Sequence, residues 1–214
     1  MTRADVAELF ARLAASAPDP VTELAYTNDY QLLVAVVLSA QATDVGVNKA
    51  TRRLFEAVTT PAQMLALGED GLKAHIRTIG LFNTKARNVI ALSQILERDH
   101  EGQVPRCRDA LESLPGVGRK TANVVVNVLF GEETFAVDTH VFRVSNRTGL
   151  APGKTPAAVE AGLEKRVPAP WRRGAHNWLI LHGRYVCTAR SPKCSACSVA
   201  DLCRFDQKVP DAAT

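Results

Sequence analysis

Three observations predict an all-α fold. Apolar residues recur at helical spacing along most of the chain, short proline or glycine joints separate these stretches, and no stretch sustains the alternation of a half-buried strand. The 214 residues are enough for a real core and suit one large or two small domains. No period of solenoid length repeats, although two glycine turns look like related devices.

Val6, Leu9, Phe10 and Leu13 follow the i, i+3, i+4, i+7 pattern of a first amphipathic helix, which Pro18 and Pro20 end. Thr27, Asn28 and Asp29 offer caps for a second helix. Its run L-L-V-A-V-V-L is apolar on every side, so it belongs in the centre of a domain. A polar break, S-A-Q-A-T-D, precedes a helix over 45–58, and Thr60 with Pro61 starts a short one as cap and first residue. The stretch T-I-G-L-F-N, 78–83, is a glycine turn carrying Leu81 and Phe82. Apolar residues at a loop tip either tuck inward, the commoner case, or face a partner. Helical spacing resumes over 85–96, and Pro105 is expected to open the next helix. A second helix buried almost all round spans 121–130, stopped by Gly131. Further helices are expected over 139–147, from Thr155–Pro156 onward, and over 171–182.

Composition sets the surroundings. A hydrophobic share of 46% with 22% charged residues is ordinary for a soluble globular protein, and the net charge of +4 permits a nucleic-acid partner without demanding one. The N-terminal stretch carries Arg3, Asp5, Glu8 and Arg12, unlike a signal peptide, and the longest apolar run is too short to span a bilayer. A cytoplasmic protein is expected, so its five cysteines should not pair as disulfides.

Three groups of residues carry chemistry. The first is L-P-G-V-G-R-K-T, 114–121, where Gly116 and Gly118 allow a tight turn between a helix ending near Leu114 and one starting near Arg119. A helix start fed by such a turn presents backbone N–H groups and suits a phosphate. Lys120 falls in the first helical turn, where the dipole and Arg119 disfavour a protonated amine, making it a candidate nucleophile beside a phosphate clamp. Taken alone, the string could equally be a plain connection with a solvated lysine.

The second group is Cys187, Cys194, Cys197 and Cys203, spaced C-x6-C-x2-C-x5-C. Four thiols this close can converge on one centre, and by spacing alone that centre is zinc or an iron–sulfur cluster. Arg184, Arg190, Lys193 and Arg204 decorate this stretch as a solvated surface or as phosphate contacts. Cys107 stands apart and reads as an ordinary buried or half-buried thiol.

The third group is Asp138, which follows F-A-V and precedes a helix. Its plain reading is an N-cap. One helix and a short turn after Lys120, it can also return a carboxylate to the same cleft. A lysine and a carboxylate facing one pocket are what a covalent imine mechanism needs.

L-P-G-V-G-R-K-T-A, V-D-T-H and the cysteine spacing together resemble the helix-hairpin-helix DNA glycosylases, in particular their endonuclease III branch. The likeness also runs through S-A-Q-A-T-D, T-I-G-L-F-N-T-K-A and L-I-L-H-G-R and covers about 21–203. It implies a six-helix barrel domain over 22–132 and a cluster domain made of 1–21 with 133–214, with a DNA-binding cleft between them. It further implies a [4Fe–4S] cluster on the four cysteines and double-stranded DNA as partner, handled by a monomer. The implied reaction removes an oxidised pyrimidine and then cleaves the strand at the abasic site. Lys120 would be the nucleophile and Asp138 its electrostatic partner. Leu81 would wedge into the space left by an extruded nucleotide, supported by Ile79, and Gln41 would address the orphaned base. His140 would lie beside the pocket, while Gly116, Gly118 and Arg119 would hold the backbone. Two alternatives are an adenine-mismatch relative, which would lack the lysine and carry a further C-terminal domain, and a non-catalytic DNA-binding module.

Overall fold

The computed structural model of the chain describes residues 1–208. Among them are ten helices and no strand: α1 (Arg3–Ser16), α2 (Asp29–Leu38), α3 (Asp44–Ala57), α4 (Pro61–Ile76), α5 (Phe82–Asp99), α6 (Arg108–Glu112), α7 (Arg119–Phe130), α8 (Thr139–Thr148), α9 (Pro156–Arg166) and α10 (Ala169–Tyr185). They form two compact units. One is Glu23–Gly131; the other joins Met1–Thr22 to the chain from Glu132 onward. The last six residues of the expected cluster domain, 209–214, lie outside the described residues.

In the unit Glu23–Gly131, α2 is the central helix. Every residue from Tyr30 to Leu38 is buried, and the helix packs against α3, α5 and α7. Its few polar groups are matched. Asn28 caps it by accepting from the Gln31 N–H at 2.9 Å. The buried Gln31 amide donates to the carbonyls of Phe55 (2.8 Å) and Val58 (3.0 Å), tying the start of α2 to the end of α3. Tyr30 shares a 2.6 Å hydrogen bond with Ser93 on α5, and burial pushes its hydroxyl pKa up. Lys85 is the contrast: its amine is buried with no hydrogen-bond partner among the described residues, and burial pulls its pKa down.

The other unit builds its core from α1, α8, α9 and α10. Val6, Leu9, Phe10 and Leu13 bury one face of α1 as their spacing requires. Trp178 on α10 lies 6.3 Å from Phe10 and edge-on to Trp171 at 5.9 Å, and its indole N–H donates to the Ala17 carbonyl at 2.8 Å. Each large side chain fully buried in such a core contributes roughly 1.5–3 kcal/mol. Where α10 passes α8, Gly183 permits the approach, since a Cβ there would sit 2.8 Å from the His140 Cβ.

Several sequence expectations need correction. The helix after Thr60 is not short, because α4 runs to Ile76 and absorbs a break at Gly68, whose φ of 75° and ψ of 170° are non-helical. Pro105 does not open the helix before the glycine turn; α6 starts at Arg108 with Cys107 at its N-cap. Cys107 is exposed, neither buried nor half-buried. Helix α5 begins three residues earlier than its spacing suggested, because the turn that carries Leu81 leads directly into it.

Gly183→Ala should lower stability. Close packing on α8 costs about 1–3 kcal/mol, and the better helix propensity of alanine offsets only up to about 1 kcal/mol of it. Denaturation followed by helical circular dichroism should show a lower midpoint, and an unchanged or raised one would contradict the packing described.

Candidate active site and cluster site

The glycine hairpin lies between α6 and α7. Leu114 and Val117 are buried and fix it from beneath, with the Val117 N–H donating to the Leu114 carbonyl at 3.1 Å. Gly116 is required on two counts: its φ is +80°, and a Cβ would meet the Asn88 Cβ and Nδ2 at 2.9 Å. Gly118 is the N-cap of α7 in extended conformation, without a side chain to occupy the helix start, and a Cβ there would meet nothing within 4 Å. The α7 ladder opens with the Ala122 N–H donating to the Gly118 carbonyl at 3.0 Å. Arg119 and Lys120 follow in the first turn with exposed side chains. An anion held there would lie next to the Lys120 amine.

Gln41 and Leu81 occupy two further loop tips of the same unit. Both adopt the left-handed region that L-residues avoid, Gln41 at φ 54° and Leu81 at φ 60°. Such backbone costs on the order of 1–3 kcal/mol at each position. Leu81 is the N-cap of α5 without a side-chain cap, and its carbonyl accepts the Lys85 N–H at 3.0 Å. The commoner inward placement does not hold for it: Leu81 is 60% exposed, while Ile79 is buried beneath the tip. No sequence signal announced the left-handed backbone at Gln41.

Asp138 caps α8, as its sequence position suggested. Its Oδ1 accepts from both the His140 and Val141 N–H groups at 2.8 Å. These two bonds fix the carboxylate at the start of α8. His140 follows in the first turn. Its Nδ1 accepts from Arg143 Nη2 at 3.2 Å, which leaves the ring proton on Nε2. Arg143 also donates to the carbonyls of Gly183 (2.7 Å) and Cys187 (2.9 Å). Sequence reasoning missed Arg143; a cation at i+3 from His140 on a helix face was its only trace.

The four cysteines form no disulfide and line one cavity, together with Arg147, His182, Val186, Val199 and Phe205. Among the described residues no group of three or more His, Cys, Asp and Glu could hold a single metal ion. Four cysteines lining one cavity are a donor set that suits an iron–sulfur group. Burial, and then the neighbouring thiolates, push the Cys197 and Cys203 thiols up, so the bare site is disfavoured in its ionised form and positive iron relieves it. Burial also pushes the His182 imidazole down to about 4. Arg184 is half-buried, Arg190 and Lys193 are exposed, and the Lys193 N–H donates to Val186 at 3.0 Å. Arg204 packs across Gly149 and ties the last described segment to α8 through its N–H to the Thr148 carbonyl at 3.3 Å.

This arrangement has relatives. The model of the HhH-GPD superfamily base excision DNA repair protein matches residues 34–169, and that of the iron-sulfur binding domain of endonuclease III matches residues 187–203, which begin and end on cluster cysteines. Endonuclease III of Escherichia coli K12 is 55% identical over 209 residues, covering 98% of this chain and 99% of that protein. Endonuclease III of Haemophilus influenzae is 55% identical over 202 residues, covering 94% and 96%. A solved structure of a trapped endonuclease III–DNA covalent intermediate is 46% identical, with a TM-score of 0.89 over 95% of this chain and 96% of that one. A thermostable thymine-DNA glycosylase superposes with a TM-score of 0.81 at 26% identity, over 95% of each chain. The chain belongs to the endonuclease III family within the HhH-GPD superfamily of base excision DNA repair proteins. It is accordingly a DNA-binding enzyme, a DNA glycosylase and AP lyase with a [4Fe–4S] cluster. None of its described helices is long and apolar enough to cross a membrane.

The cap that Asp138 provides can be separated from its charge. Asp138→Ala should lose the cap and about 1 kcal/mol of stability, whereas Asp138→Asn, an equally good cap, should stay within a few tenths of wild type. Denaturant titration checks this; equal losses would show that the charge, not the cap, holds the start of α8.

Proposed function

We propose that the protein excises oxidised pyrimidines of the thymine glycol type from duplex DNA and then cleaves the strand on the 3′ side of the abasic site. The observation that carries the reading is Lys120, an exposed amine in the first turn of α7 directly after the glycine hairpin. In the relative whose structure is a trapped covalent intermediate, enzyme and DNA are joined, as a lysine nucleophile requires.

The target nucleotide leaves the stack before its sugar can react. Leu81, exposed on a rigid left-handed turn above the buried Ile79, takes its place in the helix, and an apolar wedge offsets part of a stacking loss of a few kcal/mol. Gln41 addresses the orphaned base. The hairpin amides around Gly116 and Gly118, with Arg119, hold a backbone phosphate. Arg184, Arg190 and Lys193 add phosphate contacts, and His140 flanks the pocket beside Asp138.

Lys120 then attacks C1′ with its lone pair as the bond from C1′ to the base breaks, and the base departs with the electron pair. Asp138, held by the α8 amides through Oδ1, uses Oδ2 to stabilise positive charge on the sugar and to take up the lysine proton. Ring opening gives a Schiff base between Nζ and C1′. Loss of a C2′ proton then expels the 3′ phosphate by β-elimination and breaks the strand. Cys187, Cys194, Cys197 and Cys203 hold the cluster, which takes no part in these steps and fixes the shape of the chain around it. The segment 22–132 acts as the barrel domain and the remainder as the cluster domain. The enzyme works as a cytoplasmic, nucleoid-associated monomer.

Lys120→Gln should abolish strand cleavage of a thymine glycol duplex, by at least a hundredfold, while binding that duplex within a few-fold of wild type. Loss of binding to the same extent would make the lysine a structural or anchoring group. Leu81→Ala should slow base removal from duplex more than cleavage at a ready-made abasic site, and equal effects would remove the wedge assignment. A wild-type enzyme that cleaves abasic sites but leaves thymine glycol untouched would overturn the substrate class.

A further inference from the structure

The four cluster cysteines are not equivalent. Side-chain nitrogens reach two of them: Arg147 on α8 donates Nη1–H to Cys187 Sγ (3.6 Å), and His182 on α10 holds Nε2 3.8 Å from Cys197 Sγ, a contact in which only the imidazole can donate once the sulfur is a thiolate. The third sulfur contact has the opposite sense, with Cys203 Sγ donating to the Arg147 carbonyl at 3.6 Å. That bond depends on a thiol proton. Sulfurs bound to iron are thiolates, so loading the site removes it. Contacts in which nitrogen donates are instead strengthened against a negative sulfur.

Further contacts hold Arg147 in place for such a role. Nη1 also donates to the Thr188 carbonyl at 2.7 Å and Nη2 to the Ala189 carbonyl at 2.8 Å, while the guanidinium stacks 4.7 Å from the Phe205 ring centre. These bonds fix the arm that follows Cys187 and orient the fork, so donation to sulfur needs little further ordering. His182 is equally confined, being buried in the wall of the cavity.

We propose that Arg147 and His182 set the redox poise of the cluster by donating hydrogen bonds to the ligand sulfurs of Cys187 and Cys197. Such bonds draw charge from the sulfurs and favour the more reduced, more negative state of the cluster. Arg147, which carries a full charge, is the stronger of the two. Both are positioning residues that act through the ligands. The inference rests on the cluster occupying the four cysteines.

The test is a redox titration of the purified holoprotein, with iron content and visible absorbance recorded on each sample. Arg147→Gln should lower the midpoint potential, shifting the oxidised-to-reduced ratio at fixed potential on the order of tenfold towards oxidised, 59 mV for a one-electron couple. His182→Gln should shift it in the same direction by less. A residue that merely clamps the arm would alter cluster retention and leave the potential unchanged. That result, in Arg147→Gln samples with wild-type iron content, overturns the proposal. Should Arg147→Gln lose its cluster, Arg147→Lys and His182→Gln carry the test: a lowered potential in both supports it, and wild-type values in both overturn it. Wild-type protein without iron would instead remove the cofactor assignment on which the proposal rests.

Discussion

A helix cannot satisfy its own first amides, and this constraint organises the functional groups of the chain. Five helices meet it in the ordinary way, with Thr2, Asn28, Thr43, Thr60 and Thr155 accepting hydrogen bonds at the starts of α1, α2, α3, α4 and α9. Helices α5 and α7 do not. Leu81 and Gly118 stand where a capping side chain would be, and both starts face outward on turns of fixed shape. At α8 the cap is an aspartate, whose Oδ1 accepts two backbone N–H groups. The groups proposed to wedge, attack and stabilise charge therefore sit on helix starts, where the helix sets backbone position, with Leu81 and Lys120 exposed and Asp138 half-buried.

Rigidity beneath these starts comes from burial. Leu114, Val117 and Ile79 lie under the hairpin and the Leu81 tip, and α2 supplies a core helix with matched polar groups. In the other unit α8 serves two ends. Asp138 and His140 stand at its start, and Arg143 and Arg147 further along hold the carbonyls of Cys187, Thr188 and Ala189. The cysteine segment forms no helix of its own and takes its shape from these bonds. A small irregular segment like this has too little core to order itself, and ligation to iron supplies what burial cannot.

Much of this was legible in the sequence, for physical reasons. The Asp138 cap, the bare glycine start of α7 and the all-round burial of α2 are local signals, set by residue type and spacing within a few positions. The cysteine set was legible because its spacing is specific. The rest depends on contacts distant in sequence or on backbone that no residue type demands. Nothing in the identity of Gln41 or Leu81 requires φ near +60°, which is imposed by the turns they occupy. The break at Gly68 could be taken for an ordinary helix-weakening glycine, and Cys107 looked like a buried thiol only because most cysteines are. Arg143, Arg147 and His182 acquire meaning only when α8 and α10 meet the cysteine segment some 40 residues beyond the arginines.

The account turns on Lys120 as nucleophile, and borohydride trapping tests that most directly. Incubated with duplex DNA carrying thymine glycol or an abasic site, the enzyme should form a stable protein–DNA crosslink on reduction, and peptide mapping should place it on Lys120 with both substrates. A crosslink on another residue, or none while DNA binding persists, would contradict the account.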